Sequence, residues 1–445
     1  MIHKYIANTE SDIKEMLDVI GAESTDDLFK DIPENIRFTR DYDFEDGLSE
    51  LEVTARITAL SEKNLKTTCF LGAGAYDHYI PSITKHIAQR SEFSTAYTPY
   101  QPEVAQGTLQ YIFEYQTMIC NLTGMHVSNA SLYDGATGTA EAMMMACGAA
   151  RRSKVLVSDS LNPNTIAVVK TYARFRDLEV EMIETIDGAL DVKDLEAKLN
   201  KDIAAVIVQN PNFFGIIEDT EAVVDMIHKN KSLLIMNVNL TSLALIKTPG
   251  EIGADIVCGD AQVLGIPMSF GGPYLGFFAS TKKLLRKMPG RICGMTKDAS
   301  GKRSYVLTLQ AREQHIRREK ATSNICSNQS LLALCATVYM ATLGKQGLNE
   351  VATQCVKKAH YAQTQITALD RFEAVFTSQP FFHEFAVKTD IPAATVKKAL
   401  TDAKMLGGLD LEKTNNLPGH LLFCVTEKRT KEEIDALVQV LGGIK

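Results

Sequence analysis

The clearest indication of the fold is the stretch AAVIVQNPNFFGIIEDTEAVVDMIHKNKSLLIMNV, residues 204–238. Two continuous apolar runs, Ala204 to Val208 and Leu233 to Val238, flank a segment with helical spacing, Thr220 to Lys229. Apolar runs without alternation are typical of strands that are buried on both faces. A strand–helix–strand unit of this kind predicts two parallel strands joined by a right-handed crossover.

The same alternation continues on both sides of this unit. Further strands are predicted at Val155–Val157, Val180–Ile183, Ile256–Cys258 and Leu275–Ala279. Helices are predicted over Gln106–Thr123, Thr139–Ala150, Pro163–Tyr172 and Val192–Leu199. This order is typical of an α/β fold in which helices cover both faces of a mainly parallel sheet.

The two ends of the chain have different patterns. Thr9 and Asp12 predict a capping box before a first helix, and a second helix is predicted over Ser49–Lys63. Beyond an apolar helix at Leu331–Leu343, a long helix is predicted over Val351–Phe372. Strands are then predicted at Phe381–Val387 and Leu421–Val425, with helices at Ala393–Lys404 and Lys431–Leu441. We therefore expect a helical arm (1–65), a large α/β domain (66–335) and a small α+β C-terminal domain (336–445).

Composition excludes several classes of function. The 445 residues carry a net charge of -7, and the basic residues are spread along the sequence, which argues against a nucleic-acid surface. The N-terminus has no apolar targeting segment, and the run Leu331–Leu343 is too short to span a bilayer. Nine cysteines without a C-x-x-C pair predict neither disulfides nor a metal site. We expect a cytoplasmic chain without a membrane partner.

Common nucleotide and metal motifs are absent from the sequence. There is no phosphate-binding P-loop, no G-x-G-x-x-G after a strand and no H-E-x-x-H. The nine histidines lack the spacing of metal ligands, and Gly72–Ala75 is interpreted as a turn only. None of these signals indicates a function.

Two segments carry more information. In Asn129–Met143, small and hydroxyl residues lead directly into a helix, so Gly135, Ala136 and Thr137 could bind a phosphate at its N-terminus. An ordinary helix cap explains the same pattern equally well. In Asp255–Tyr274, a strand is followed by a glycine-rich loop, which is where open α/β sheets bind ligands.

Several motifs in a fixed order carry a resemblance to a known family. They are Thr98–Glu103 with Gln106–Gly107, Asn129–Met143, Pro249–Val257, Gly259–Pro273 and Lys320–Cys326. Together they resemble the glycine decarboxylase, or P-protein, of the glycine cleavage system, over nearly the whole chain. The length fits the N-terminal half of that protein in organisms where it is split into two chains.

This resemblance implies a fold-type-I architecture of pyridoxal phosphate (PLP) enzymes, similar to aspartate aminotransferase. It implies an oxidoreductase of glycine catabolism, in which PLP supports loss of CO2 from glycine and the aminomethyl group passes to the lipoyl arm of the H-protein. The implied partners are a second subunit, subunit 2, in a heterodimer that forms an α2β2 assembly, and the lipoylated H-protein.

The chain departs from a working PLP site in two places. Alignment by eye with the catalytic half of the family puts Gln262 where the reactive lysine belongs, and an amide cannot bind the cofactor aldehyde covalently. The carboxylate that pairs with the pyridine nitrogen falls near Asn237 and Asn239, with Asn239 at that position. We therefore expect this chain to be inactive alone, with PLP held covalently by subunit 2.

In fold-type-I dimers each site borrows groups from the neighbouring chain. The candidates for this role are Tyr97, Thr98, Tyr100 and Gln101 in one loop, and Thr322, Ser323 and Asn324 in another. Alternatively, these loops only pack an interface. Two competing hypotheses remain: a non-catalytic scaffold that stabilises subunit 2 or docks the H-protein, and an independent aminotransferase-like enzyme that uses another lysine.

Overall fold

The structure is a computed structural model that describes residues 5–444. The chain divides into two units, Met1–Leu65 and Lys66–Lys445. Among its described residues, the first unit contains two α-helices, α1 (Glu10–Ile20) and α2 (Glu50–Ser61). The predicted capping box is present, since the Thr9 backbone N–H donates to Asp12 Oδ2 at 2.7 Å and Thr9 Oγ1 accepts from the Asp12 N–H. No residue of either helix is buried.

The second unit contains the remaining helices and all strands of the described residues. Its strands are β1 (Thr68–Phe70), β2 (Val127–Ser128), β3 (Lys154–Ser158), β4 (Glu179–Ile183), β5 (Thr185–Ile186), β6 (Ala189–Leu190), β7 (Ile203–Asn210), β8 (Leu233–Val238), β9 (Ile256–Asp260), β10 (Gly276–Ser280), β11 (Ile292–Lys297), β12 (Arg303–Thr308), β13 (Phe372–Ala374), β14 (Glu384–Thr389), β15 (Met405–Gly407), β16 (Leu409–Asp410) and β17 (His420–Cys424). Its helices are α3 (Ser82–Ala88), α4 (Ser91–Ser94), α5 (Gln106–Thr123), α6 (Gly135–Ala150), α7 (Pro163–Arg174), α8 (Val192–Lys198), α9 (Glu221–Lys229), α10 (Pro249–Ile252), α11 (Gln314–Arg317), α12 (Ser330–Thr367), α13 (Ala393–Asp402), α14 (Leu411–Asn415) and α15 (Lys431–Gly442).

A seven-stranded sheet forms the centre of this unit, in the order β2-β10-β9-β8-β7-β3-β4. The five strands from β9 to β4 are parallel, whereas β10 runs antiparallel to both of its neighbours. Alternate residues of β7 enter different cores: Val206 and Val208 pack with α5, α9 and α12, while Ala205 and Ile207 pack with α6 and α7. The predicted mainly parallel sheet between two helical layers is confirmed.

The C-terminal part is built on a four-stranded antiparallel sheet, β13-β14-β17-β16. Helices α12, α13 and α15 share a hydrophobic core with it, which includes Phe385, Phe423 and Leu437. The α+β pattern predicted for this part of the chain is present within the second unit, and β1, near the start of that unit, pairs with β15 in parallel.

Helix α12 contains the break that was predicted between the helices Leu331–Leu343 and Val351–Phe372. The backbone of Gly344 is not helical, with φ 57° and ψ -171°, so two helical segments meet at a kink within Ser330–Thr367. Glycine adopts this positive φ without a Cβ clash. The second segment ends at Thr367, and Phe372 begins β13 instead of ending the helix. The predicted domain boundary at 335/336 falls inside this helix. By length and apolar composition α12 could cross a membrane, but Ala333, Ala336 and Tyr339 are buried in the core.

Candidate functional site

A cavity of about 370 Å³ lies at the carboxyl ends of the parallel strands. Its wall includes the loop 72–76, the first turn of α6, the start of α7, the ends of β7, β8 and β9, and Tyr274. This is where ligands bind in open α/β sheets, and it is next to the glycine-rich loop identified in the sequence. No Lys, Arg or His is among the described residues that line it.

Gln262 lies behind the wall of the cavity and is 2% exposed. Its Oε1 accepts a hydrogen bond from the Tyr76 backbone N–H at 2.9 Å. Its Nε2 donates to the carbonyls of Tyr76 at 3.0 Å and Ile266 at 2.7 Å. Both polar atoms of the amide are therefore bonded to backbone, and the side chain stabilises the loop 72–76.

The first turn of α6 forms one side of the cavity. The helix begins at Gly135, four residues before the predicted Thr139, because Asp134 caps it: Asp134 Oδ1 accepts from the Thr137 N–H at 2.7 Å. The Gly135 N–H donates to Asp260 Oδ2 at 3.2 Å. A helix N-terminus binds phosphate through such N–H groups. Here the N–H groups of Gly135 and Thr137 are bonded to carboxylates. The predicted phosphate loop, which includes Ala136, therefore has the geometry of an ordinary capped helix.

Two asparagines occupy the end of β8 inside the cavity. Asn237 Nδ2 donates to Thr139 Oγ1 at 2.8 Å. Asn239 Oδ1 accepts from the Thr241 N–H at 2.9 Å, and its Nδ2 lies 3.4 Å from His383 Nε2. Burial holds the pKa of His383 well below its usual value, so this ring is neutral and accepts the bond. The end of β8 thus presents amides and no carboxylate.

Two carboxyl groups in or beside the cavity are buried and only partly ionised at neutral pH. Burial raises the pKa of Asp260 to about 7, and the charge of Asp134 acts in the same direction. The hydrogen bonds from the N–H groups of Gln262 and Gly135 lower this pKa but do not offset burial. Burial likewise raises the pKa of Glu384, at the start of β14, to about 7. A phosphate dianion would meet these partly ionised acids in a poorly solvated place, which disfavours its binding.

The loop 72–76 is more than the turn expected from its sequence. It lines the cavity, the Ala73 N–H donates to Glu384 Oε1 at 2.6 Å, and the Tyr76 hydroxyl donates to Glu384 Oε2 at 2.7 Å. A Cβ on Gly72 would lie 2.3 Å from Glu384 Oε1, so only glycine permits this approach. The run of small residues in this loop was the available sequence signal for a close contact. The contact could not be predicted, because Glu384 lies about 310 positions further along the chain.

The seven predicted interface residues lie outside this cavity. Tyr97, Tyr100, Gln101, Thr322 and Asn324 are exposed, Thr98 is half-buried and Ser323 is buried. Ser323 Oγ accepts from the Ile325 N–H at 3.1 Å. Except for Ser323, these side chains are accessible for contact with another molecule.

Arg291 joins the two loops and was missed in the sequence. The residue is 5% exposed, and its Nη2 donates to the Tyr100 hydroxyl at 3.0 Å and to the Cys326 carbonyl at 2.7 Å. Its guanidinium lies 5.2 Å from the centre of the Tyr100 ring. Glu313 Oε2 is 3.9 Å from Arg291 Nε. No local motif surrounds Arg291, so no sequence signal could have indicated this contact.

Other chemically capable groups are already engaged. His78 Nδ1 and Glu427 Oε2 are 2.6 Å apart, and Cys355 Sγ is 3.5 Å from the same oxygen; these three residues are close enough to hold a metal ion, although sequence spacing indicated no such group. Lys247 pairs with Glu221 at 2.7 Å. The exposed Lys282 and Lys283, like Lys247, do not line the cavity.

Two structural likenesses concern the fold alone. A sphingosine-1-phosphate lyase of Burkholderia pseudomallei has a TM-score of 0.66 at 14% identity, over 92% of this chain and 93% of that one. A NifS-like protein has a TM-score of 0.62 at 11% identity, over 85% and 99%. They confirm the predicted fold-type-I architecture of PLP enzymes.

Closer relatives agree in their names. The family model "Glycine cleavage system P-protein" matches residues 3–441. "Probable glycine dehydrogenase (decarboxylating) subunit 1" of Listeria monocytogenes is 54% identical, over 100% of this chain and 99% of the relative. Its namesake of Moorella thermoacetica is 52% identical, over 99% of both. The crystal structure of a glycine decarboxylase (P-protein) in inhibitor-bound form has a TM-score of 0.93 at 39% identity over both full chains. The chain belongs to the P-protein family of the glycine cleavage system.

Proposed function

We propose that this chain is the site-completing subunit of a two-chain glycine decarboxylase and that the partner subunit holds PLP. The observation that carries the proposal is Gln262. Its amide occupies the position aligned with the reactive lysine, and both of its polar atoms are bonded to backbone. An amide has no nucleophilic amine for the cofactor aldehyde.

The cavity itself also does not fit PLP. Covalent attachment needs a lysine and phosphate binding is favoured by cations, but the described residues that line the cavity include none. Asp134 and Asp260 bond the N–H groups of Thr137 and Gly135, and the end of β8 offers only amides. A catalytic step in this cavity is therefore not part of the proposal.

The names of the relatives support a partner. A protein called subunit 1 of glycine dehydrogenase requires at least one further subunit, for which we propose subunit 2 in an α2β2 assembly. The proposed substrates are glycine and the lipoylated H-protein, and the proposed location is the cytoplasm. Exposed Tyr97, Tyr100 and Asn324 are suited to contribute hydroxyls and an amide to the partner's site.

Reductive trapping tests which chain holds the cofactor. The co-purified two-chain complex is incubated with PLP, reduced with borohydride and separated, and the mass of each chain is measured. We expect one pyridoxyl group on subunit 2 and none on this chain. Stoichiometric fixation on this chain would refute the proposal and revive the independent enzyme.

Alanine variants test the contribution to the partner's site. Tyr100→Ala and Asn324→Ala should retain assembly but lower glycine decarboxylation by about tenfold or more, because misplaced groups at a site cost at least this much. Tyr79→Ala, an exposed tyrosine elsewhere in the unit, is the matched control. Unchanged turnover in both variants, with assembly intact, would favour the scaffold instead.

A further inference from the structure

Two further cavities border the loop that contains Thr322. The first, of about 460 Å³, is lined in part by Arg151, Arg152 and Arg176. The second, of about 430 Å³, is lined in part by Arg286, Lys287, Arg312 and Arg317. Thr322 lines both. We call these seven basic residues with Thr322 the basic groove; no acidic residue of the described chain lines either cavity.

The seven basic side chains lack carboxylate partners. Within residues 5–444 none of them forms a salt bridge; the bonds they make go to backbone carbonyls. Arg152 donates to the Ile203 carbonyl at 2.6 Å, and Lys287 donates to the Gly148 carbonyl at 2.9 Å. No carboxylate of the described chain therefore lies in ion-pair contact with these charges.

Acidic groups outside the two cavities offset this charge only in part. Burial raises the pKa of Glu141 to about 7, and the charge of Arg176 lowers it, so this carboxyl is only partly ionised at neutral pH. The charge of Glu313 acts on Arg312, and Asp177 and Glu319 neighbour basic residues in sequence. None of these three residues lines either cavity. The groove stays positive in a chain whose net charge is -7.

The distribution of charge favours a protein as the occupant. A single small anion would occupy one cavity, whereas seven charges lie around two cavities on either side of Thr322. A nucleic acid would meet an otherwise acidic chain. A protein face with clustered carboxylates can pair with both cavities at once, and such complementarity mainly sets the encounter rate and the specificity.

We propose that the basic groove is the docking surface for a carboxylate-rich face of the carrier protein that accepts the aminomethyl group. This inference rests on the proposed function, because Thr322 belongs to the loop assigned there to the partner's site. A carrier docked on the groove would be next to that loop, where its lipoyl arm has to enter.

The test removes one exposed charge from each cavity in the complete two-chain enzyme. In the double variant Arg151→Gln/Arg286→Gln we expect KM for the lipoylated carrier to rise roughly threefold or more at low salt, since each exposed pair contributes modestly. The effect should shrink as salt screens the charges. Lys397→Gln, which removes an exposed charge in α13, is the control and should leave KM unchanged.

Four outcomes would overturn the docking surface. The first is a carrier KM of the double variant equal to that of the control at all salt concentrations. The second is loss of assembly with the partner subunit, which would make the groove a subunit interface. The third is binding of inorganic phosphate to the groove with no change in KM in the variant, and the fourth is RNA that the wild-type complex retains and the double variant loses. Borohydride trapping of the same complex reports separately on the proposed function, because it records which chain holds PLP whatever the groove does.

Discussion

Replacing Gln262 by leucine is the most direct test of its structural role. The leucine keeps the approximate volume but removes both polar atoms that bond to backbone. The Tyr76 carbonyl keeps a second partner, since the His78 N–H donates to it at 3.1 Å. Among the described residues, the Tyr76 N–H and the Ile266 carbonyl have no other hydrogen-bond partner.

The expected loss of stability follows from these two groups. A buried donor or acceptor left without a partner costs about 1 to 3 kcal/mol. Two such groups cost about 2 to 6 kcal/mol, and the more apolar leucine side chain recovers about 1 kcal/mol. Gln262→Leu should therefore lower the free energy of unfolding of the second unit by about 1 to 5 kcal/mol.

Urea unfolding of the purified chain measures this change. We expect a lower midpoint with an unchanged slope, since the same surface is exposed on unfolding. Gln89→Leu, at an exposed glutamine after α3, is the control and should change stability by less than about 0.5 kcal/mol. A loss for Gln262→Leu as small as that of the control would refute the structural role of the amide.

Three further predictions concern the cavity and the loops beside it. In α6, Gly135→Ala should lower the free energy of unfolding by about 1 to 3 kcal/mol, because the new Cβ would lie 2.6 Å from the Asp260 backbone nitrogen. A Cβ at Gly148 meets nothing within 4 Å, so Gly148→Ala should raise the free energy of unfolding by about 0.5 to 1 kcal/mol. Equal effects of the two variants in thermal unfolding would contradict the close packing at Gly135. The pKa of Asp260 is raised to about 7, so the contribution of this carboxyl to stability is present below about pH 4 and is lost as pH rises through 7. Asp260→Asn should therefore flatten the decline of the urea midpoint with pH. Parallel pH curves for the variant and the wild type would contradict this contribution. Arg291→Met should lower glycine decarboxylation by the assembled complex about tenfold or more, because Tyr100 loses its donor; wild-type turnover would exclude this positioning role.

The sheet was predictable because its evidence is local. Runs such as Leu233–Val238 indicate burial by their own composition, and that strand has the predicted bounds. The helix from Gln106 to Thr123 likewise matches its prediction. The start of α6 was missed by four residues, because the cap by Asp134 depends on a side-chain rotamer that spacing does not reveal.

The groups around the cavity were less predictable because they meet across long stretches of sequence. Glu384 binds the loop 72–76 from about 310 residues away, and Arg291 binds Tyr100 from 191 away. Glu384 and Arg291 are single charged residues, and the sequence around each of them contains no motif. A periodic pattern cannot indicate such contacts, since each depends on how two separate elements pack.

These contacts explain why an amide suits position 262. Gln262 holds the backbone of Tyr76, and the hydroxyl of Tyr76 in turn donates to Glu384 at the start of β14. The chain of bonds thus links the central sheet to the C-terminal sheet. A lysine at 262 could donate to the carbonyls of Tyr76 and Ile266, but it could not accept from the Tyr76 N–H. Gln262→Lys alone would therefore weaken this link without supplying the phosphate and pyridine partners that PLP requires.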